Sequence, residues 1–574
     1  MPGRCLRLSV NFSTNVPDKG GVKRDLGALA AEEHDLLVVG GGIYGAACAR
    51  EAALRGLRVA LVEREDFGCG TSWNSLKTIH GGIRYLQQLD LRRVLGSIAE
   101  RRRFLRLAPH LVRPLEFALP TRGSAARSRP ALAAALAVHD LLGAARNRGV
   151  LPDRRVPRGR VVGRAELRRL APLLDASPAT GAAVWWDAQL RSSERTVLGF
   201  VQAAAGEGAR VANHAEALSL LAANGRVCGA LVRDPRGGDA FEVRARQVLC
   251  CNGPAAWELL GRSGALRPPP ALLSRAGNVV LRRELFPGVA VGLEVEGAAE
   301  GQAAQTLFAA PWRGRTLLGT LHLPLRGAPR AELSEAEVAQ LLRAVNRACP
   351  ALGLSLDDVV LVHAGLQAVT GWEPRSGMAR HAPDPILLDH GERDGVPGLH
   401  TLVGVKFTEA VGAAARALDR VCRRLGAGRP SPRDGGPPLP GGGFASLPAL
   451  WADLAERAPA GLARASLEHL GACRGSAAAA VLELAATPGL AEPLAAGSPV
   501  IAAEIVHALR EEMALTLADL VLRRTELGAR GDASPAALAR CGAIAARELG
   551  WSSERLASEV AAVRRALALP WEAA

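Results

Sequence analysis

Aromatic side chains are scarce in this chain: two Tyr, ten Phe and nine Trp make up 4% of 574 residues. A core so poor in rings must close through aliphatic contacts, which Ala and Leu supply along the whole sequence. No uninterrupted apolar run reaches the roughly 20 residues of a membrane-spanning helix. The opening MPGRCLRLSVNFSTNVPDKGGVKRD has no long apolar stretch followed by a processing site, so residues 1–32 read as a flexible leader and not as a secretory signal. Ten cysteines include no CxxC pair. That spacing argues against a zinc ribbon or a disulfide framework and for a reducing, cytoplasmic setting. No metal site is expected. Nucleic-acid-binding modules are also missing, and the basic residues are scattered. The formal charge of +15 (71 Lys and Arg against 56 Asp and Glu) would attract an anionic substrate, a membrane surface or nucleic acid and does not by itself choose among them; an anionic small molecule is the partner expected. Weak peripheral contact with the inner face of the cell membrane is the other partner this charge allows.

What is present begins at residues 36–45, LLVVGGGIYG. An apolar run, read as a strand, meets Gly40-x-Gly42-x-x-Gly45. AACAREAALRG then reads as a helix, and RVALVE as a second strand ending in Glu63. Gly40 allows the tight turn, Gly42 lets backbone approach a pyrophosphate, and Gly45 lets the helix lie close to the sheet. The helix start offers N–H groups and a positive dipole end to phosphate. Glu63 lies 18 residues beyond Gly45, where an acid binds an adenosine ribose hydroxyl. Strand, turn, helix, second strand and acid together predict dinucleotide binding.

A chain of 574 residues exceeds one ordinary core, and two or three domains are expected. Residues 33–120, 195–260 and 366–425 read as a discontinuous α/β, Rossmann-type domain. Residues 121–194 and 261–365 read as a second, antiparallel-sheet domain over the substrate. GAGRPSPRDGGPPLPGGG, residues 426–443, has the composition of a linker. Residues 444–574 read as an all-helical C-terminal domain, with packing or homodimerisation as its expected role. Strands are predicted at residues 116–120, leaving the dinucleotide domain, and at 181–190. RVCGALVRDP and FEVRARQVLCCNG are predicted to pair through a GGD turn. Ser334 and Glu337 have the spacing of a capping box. A late strand-to-helix turn through Gly404 and Lys406 is expected to bring N–H groups to a cofactor ring. Beta strands interleaved between nucleotide-binding segments suit a flavin enzyme more than a simple NAD dehydrogenase.

Longer motifs add to this reading: TSWNSLKTIHGGIRYL, AERRRFLRLAPHLVRP, FAAPWRGRTLLGT, VGVKFT and LADLVLRRTELG. With them the chain resembles the FAD-dependent glycerol-3-phosphate dehydrogenases from Asp35 to its end. The resemblance implies tightly bound FAD, oxidation of sn-glycerol 3-phosphate to dihydroxyacetone phosphate, and electron delivery to quinone at a membrane surface. It implies that Gly40, Gly42, Gly45 and Glu63 hold the ADP moiety. Thr71, Ser72, Ser75, Lys77 and His80 would then line the pyrophosphate and flavin, and Thr408 the late flavin loop. Arg84 and Tyr85 fall where the family approaches its substrate, and Arg380 and Lys406 match cationic positions near the pocket. Arg84 and Arg380 would anchor an anionic group through bidentate contacts. Lys406 would stabilise reduced flavin or an oxyanion.

The substrate half departs from the family. In AGLQAV, Gln367 stands at the family's arginine and Ala368 at its proline. Arg275-Ala276-Gly277-Asn278 places Asn278 where a pocket histidine is expected. His322 in GTLH replaces an aspartate, and Glu409 and Val411 replace the Thr and Arg of KxTTxR. Losing a bidentate arginine at a buried phosphate costs roughly 2–5 kcal/mol. Asn278 cannot exchange a proton near neutral pH as an imidazole does. The expectation is an FAD-dependent oxidoreductase taking hydride from a hydroxyl-bearing carbon of an anionic, non-standard substrate, with quinone or oxygen as acceptor. Authentic glycerol-3-phosphate dehydrogenase, an amine or hydroxy-compound oxidase, and a non-catalytic FAD-binding protein remain the alternatives.

Overall fold

The computed structural model describes residues 21–123, 127–175, 177–262, 272–325, 331–531 and 533–572. His34–Val39 is sandwiched between two parallel neighbours, Val59–Val62 and Phe241–Cys250. Covered on both faces, such a strand carries a continuous apolar run instead of an alternating one. Its sheet runs Ile386–Asp389, Leu399–Val403, Phe241–Cys250, His34–Val39, Val59–Val62, Arg210–Ala212. The antiparallel pair Glu216–Ala223 and Arg226–Arg233 extends it from Phe241–Cys250. Helices Ile43–Leu54, Ser193–Gly206 and Ala410–Leu425 bury their aliphatic faces together over one side, with Ala46, Ala49, Val201, Ala414 and Leu418 in the contact.

The second sheet has ten strands. Its order is Ala379–His381, Val359–Trp372, Leu272–Leu281, Arg315–Pro324, Gln305–Trp312, Val289–Val295, Val112–Thr121, Gly181–Leu190, Thr78–Ile79, with Arg160–Gly163 paired to Gly181–Leu190. All its pairs are antiparallel except Val289–Val295 with Val112–Thr121. Helix Glu335–Ala348 covers it, opened by the Ser334–Glu337 capping box and burying Val338, Leu341 and Val345. The C-terminal region is helical: Leu447–Arg457, Arg464–Arg474, Ala478–Ala485, Ala502–Glu511, Pro535–Leu549 and Ser553–Leu567, with a π-helical stretch at Asp519–Arg524. No helix among the described residues is long and apolar enough to cross a membrane.

Three boundary expectations are corrected. Val112–Thr121 and Thr78–Ile79 pair into the second sheet, although both fall in the 33–120 segment assigned to the dinucleotide domain. Val359–Trp372 likewise runs through the expected boundary at 366. Pairing partners decide sheet membership, and composition does not encode them. Residues 1–20 of the expected leader lie outside the described residues, but residues 21–32 are docked. Val22 donates its N–H to the Glu511 carbonyl at 2.8 Å, Arg24 pairs with Asp234 at 2.8 Å, and Leu26–Ala31 is helical. The stretch 426–443 is a bound strap, not a free tether. Arg50 donates to the carbonyls of Gly435 and Pro437, each at 2.6 Å, and Leu439 is buried with its N–H on the Leu107 carbonyl.

Candidate active site

The cradle is built from backbone. Gly40 has φ +105°, and a Cβ there would lie 2.6 Å from the Asn252 backbone of the neighbouring strand end. A Cβ on Gly45 would overlap the Gly40 carbonyl oxygen, while one on Gly42 would meet the Ser72 hydroxyl at 3.1 Å. Gly41, which the spacing argument passed over, is equally confined: its Cβ would sit 2.6 Å from the Phe67 ring and 2.9 Å from Glu63 Cβ. At the helix start the Ile43 N–H donates to Ser72 Oγ at 3.0 Å. Glu63 accepts from the N–H groups of Gly41 (2.6 Å) and Glu65 (2.9 Å); burial outweighs these bonds and raises its carboxyl.

The segment after this cradle bends back over it. Thr71 donates its hydroxyl to the Leu366 carbonyl at 3.0 Å, tying the segment to the second sheet. Ser75 Oγ accepts the Lys77 N–H at 3.3 Å. Lys77 has φ +59° and turns its ammonium inward, onto the Trp73 carbonyl, Ser193 Oγ at 2.8 Å and Glu194 at 3.3 Å. An ammonium so deeply buried stays where a carboxylate offsets its desolvation. Burial lowers Lys77 to about 8. Glu194 continues to Arg313 (3.6 Å), which reaches Glu526 of the C-terminal region (2.9 Å). The following His80-Gly81-Gly82 turn is held by a group the sequence reading missed. Asp187 accepts from Gly81 N and Arg101, both at 2.5 Å, and from the Trp185 indole at 3.0 Å. The His80 N–H meets Thr408 Oγ1 at 3.4 Å, joining this turn to the late strand-to-helix segment. There Gly404 admits the Tyr44 ring, whose hydroxyl donates to the Lys406 carbonyl at 2.6 Å.

Polar side chains from four separated segments converge beyond this turn. Lys406 Nζ lies 5.1 Å over the Tyr85 ring, His80 packs edge-on against the same ring, and His322 meets His381 with ring centroids 4.5 Å apart. Arg84 is exposed and close enough to His80, His322 and His381 to disfavour protonation of each. Burial is the larger cause. It pushes His322 to about 3 and His80 and His381 to about 4, so all three imidazoles are neutral at pH 7. The Nδ1 atoms of His322 and His381 are buried without a hydrogen-bond partner among the described residues. Lys406 is paired with Glu409 at 2.9 Å.

Two predicted site residues stand apart from this cluster. Arg380 is exposed and pairs with Glu373 at 2.7 Å, because alternate residues of a strand face opposite ways and it is His381 that turns inward. The side-chain oxygen of Asn278 is inside the second sheet, accepting from Thr320 Oγ1 at 2.7 Å. Gln367 is nearer: its amide donates to the Val405 carbonyl at 2.5 Å, fastening the second sheet to the late loop. Alternation along Ala379–His381 was the signal that could have identified His381.

Two clusters have metal-ligand residue types, His469/Cys473/Glu526 and Asp66/His214/Asp519. Both are threaded with arginines: Arg191 and Arg313 on Glu526, Arg523 and Arg524 on Asp66. Guanidinium groups already meet the carboxylates there.

The cradle fits FAD on its own geometry. Its glycines leave no room for side chains, its helix opens on a hydroxyl and N–H groups, and Asn252 Oδ1 beside Gly40 is buried without a partner among the described residues. Comparison with known proteins agrees. Residues 35–419 match the FAD dependent oxidoreductase family, and residues 436–556 match the C-terminal domain of alpha-glycerophosphate oxidase. Glycerol-3-phosphate dehydrogenase of Synechocystis sp. is 29% identical over 543 residues, covering 92% of this chain and 95% of that protein. Glycerol-3-phosphate dehydrogenase 2 of Mycobacterium tuberculosis is 31% identical over 543 residues, covering 93% and 88%. Among solved structures, glycerol-3-phosphate dehydrogenase from Bacillus halodurans complexed with FAD superposes with a TM-score of 0.73 at 21% identity, covering 94% of this chain and 96% of that one, a likeness of fold. The chain belongs to the FAD-dependent oxidoreductases and is related to the glycerol-3-phosphate dehydrogenases.

Proposed function

We propose that this chain is an FAD-dependent dehydrogenase that takes hydride from a hydroxyl-bearing carbon of an anionic substrate other than sn-glycerol 3-phosphate. The observation that carries the reading is Gln367. Where the resemblance calls for an arginine fork, this side chain is neutral and spends its amide on the Val405 carbonyl. Bound FAD supplies the hydride acceptor; Gly40, Gly41, Gly42, Gly45 and Glu63 are the residues to hold its ADP half, with Ser72 and the Ile43 N–H at the pyrophosphate. Arg84 anchors the anionic end of the substrate. Of the imidazoles of His80, His322 and His381, all neutral at pH 7, one accepts the single hydrogen of the reacting hydroxyl and takes its proton as hydride leaves the carbon, while the others orient the substrate. Asp187 keeps the His80-Gly81-Gly82 turn in register with them.

Authentic glycerol-3-phosphate dehydrogenase is the second reading, favoured by relatives of that name matched along nearly their whole length. Anaerobic mixing of the holoprotein with sn-glycerol 3-phosphate separates the two. The first reading expects no bleaching of the flavin band at sub-millimolar concentration, and bleaching with another hydroxylated anion. Rapid bleaching with glycerol 3-phosphate selects the second. Peroxide formed on readmitting oxygen, compared with quinone reduction, identifies the acceptor.

A further inference from the structure

Around the convergent cluster the positive charges are almost all accounted for. Arg101 is bound to Asp187, Lys77 to Glu194, Arg103 to Glu100, Arg380 to Glu373, and Arg93, 5.0 Å over the Tyr85 ring, to Asp90 at 3.3 Å. Lys406, the ammonium nearest Tyr85, carries its own counter-ion three residues away in Glu409, at 2.9 Å and with both side chains largely buried. The second oxygen of that carboxylate, Oε2, is buried without a partner among the described residues. The three imidazoles add no charge at neutral pH. Arg84 alone remains, with no ion pair among the described residues.

A phosphate monoester brings a charge of about −1.5 to −2 at pH 7. Against one uncompensated cation, with the Glu409 carboxylate neutralising the neighbouring ammonium, its second charge would find no counter-ion and would meet the repulsion of that carboxylate. A carboxylate brings one charge, and its two coplanar oxygens match the fork of a single guanidinium.

We infer that the anionic end of the substrate is a carboxylate, not a phosphate monoester, and that Glu409 sets this choice by neutralising Lys406. The inference rests on the proposed reading of Arg84 as the anion site and deepens it: Glu409 is a specificity-determining residue acting through Lys406.

The test titrates purified holoprotein with acetate and with inorganic phosphate at constant ionic strength and neutral pH, following the flavin difference spectrum. The native protein is expected to bind acetate more tightly. Glu409→Gln, with Glu409→Thr as a second variant should the first fold poorly, is expected to tighten phosphate binding about tenfold relative to acetate, the effect of releasing one partly buried cation. Native preference for phosphate, or an acetate-to-phosphate ratio unmoved in both variants, overturns the inference while leaving an anion site in place. Spectral changes that persist in Arg84→Met, or no change with either anion, overturn the reading of Arg84 as the anion site.

Discussion

Gly45 shows how a single missing atom shapes the cofactor site. A methyl group there would occupy the place of the Gly40 carbonyl oxygen, and the helix would have to lift from the sheet. Gly45→Ala is expected to cost about 1–3 kcal/mol, the range for forcing an extra carbon into a filled space. It should also lower the flavin-to-protein absorbance ratio of the purified protein; urea unfolding supplies the first number, and retention of both at native values would refute the role. This requirement was legible in the sequence because a backbone motif names its own residues. The facing of Arg380 was not. A motif places a residue in the chain, but whether it points in or out on a three-residue strand depends on the register with Val359–Trp372. The same limit hid Asp187, a lone acid in an apolar strand until the Gly81 N–H is seen against it.

Among the elements, the loop from Gly68 to Tyr85 is held by what lies beneath it. Lys77, Glu194, Arg313 and Glu526 form a chain of alternating charge from the loop to the C-terminal helices. Burial pushes Glu194 up, but Lys77 and Arg313 together outweigh it and hold the carboxyl at about 2. Glu194→Gln would leave the Lys77 ammonium buried without an anion, at an expected cost of about 3–5 kcal/mol. Thermal unfolding measures it, and the double variant with Lys77→Met should recover most of the loss; failure of that rescue would show that the pair is not the source. Helices with regular apolar spacing, and the Ser334 cap, could be read from the chain because their signals are local. Asp519–Arg524 could not. Its wider π turn lets consecutive Arg523 and Arg524 converge on one carboxylate, Asp66, a demand made by a residue more than 450 positions away.

At the scale of the whole molecule, Asp66 ties the dinucleotide domain to the C-terminal region. It accepts from Arg523 at 2.5 Å, from Arg524 at 2.6 and 2.7 Å, and from Asn213 at 2.8 Å, with no exposure to solvent. Asp66→Asn leaves the buried Arg524 guanidinium without a carboxylate, while Arg523 keeps Asp519 at 2.7 Å, and is expected to destabilise by about 3 kcal/mol. Hydrogen exchange should then quicken in Asp519–Arg524 and in Arg210–Ala212, which leads into Asn213, together; quickening confined to one would show that the two are not coupled through this carboxylate. Three-part architecture was legible from composition and periodicity, since each part writes its own pattern of apolar residues. How the parts hold one another was not, because the ion pairs between them join residues hundreds of positions apart. The strap of residues 426–443 carries the last consequence. With Arg50 of helix Ile43–Leu54 committing its guanidinium to strap carbonyls, the dinucleotide domain is finished only by chain that lies beyond it in sequence. A cut at residue 426 would therefore strip a buried guanidinium of both carbonyls at the very helix that opens onto the cofactor, so the working boundary of the dinucleotide half lies beyond Pro437.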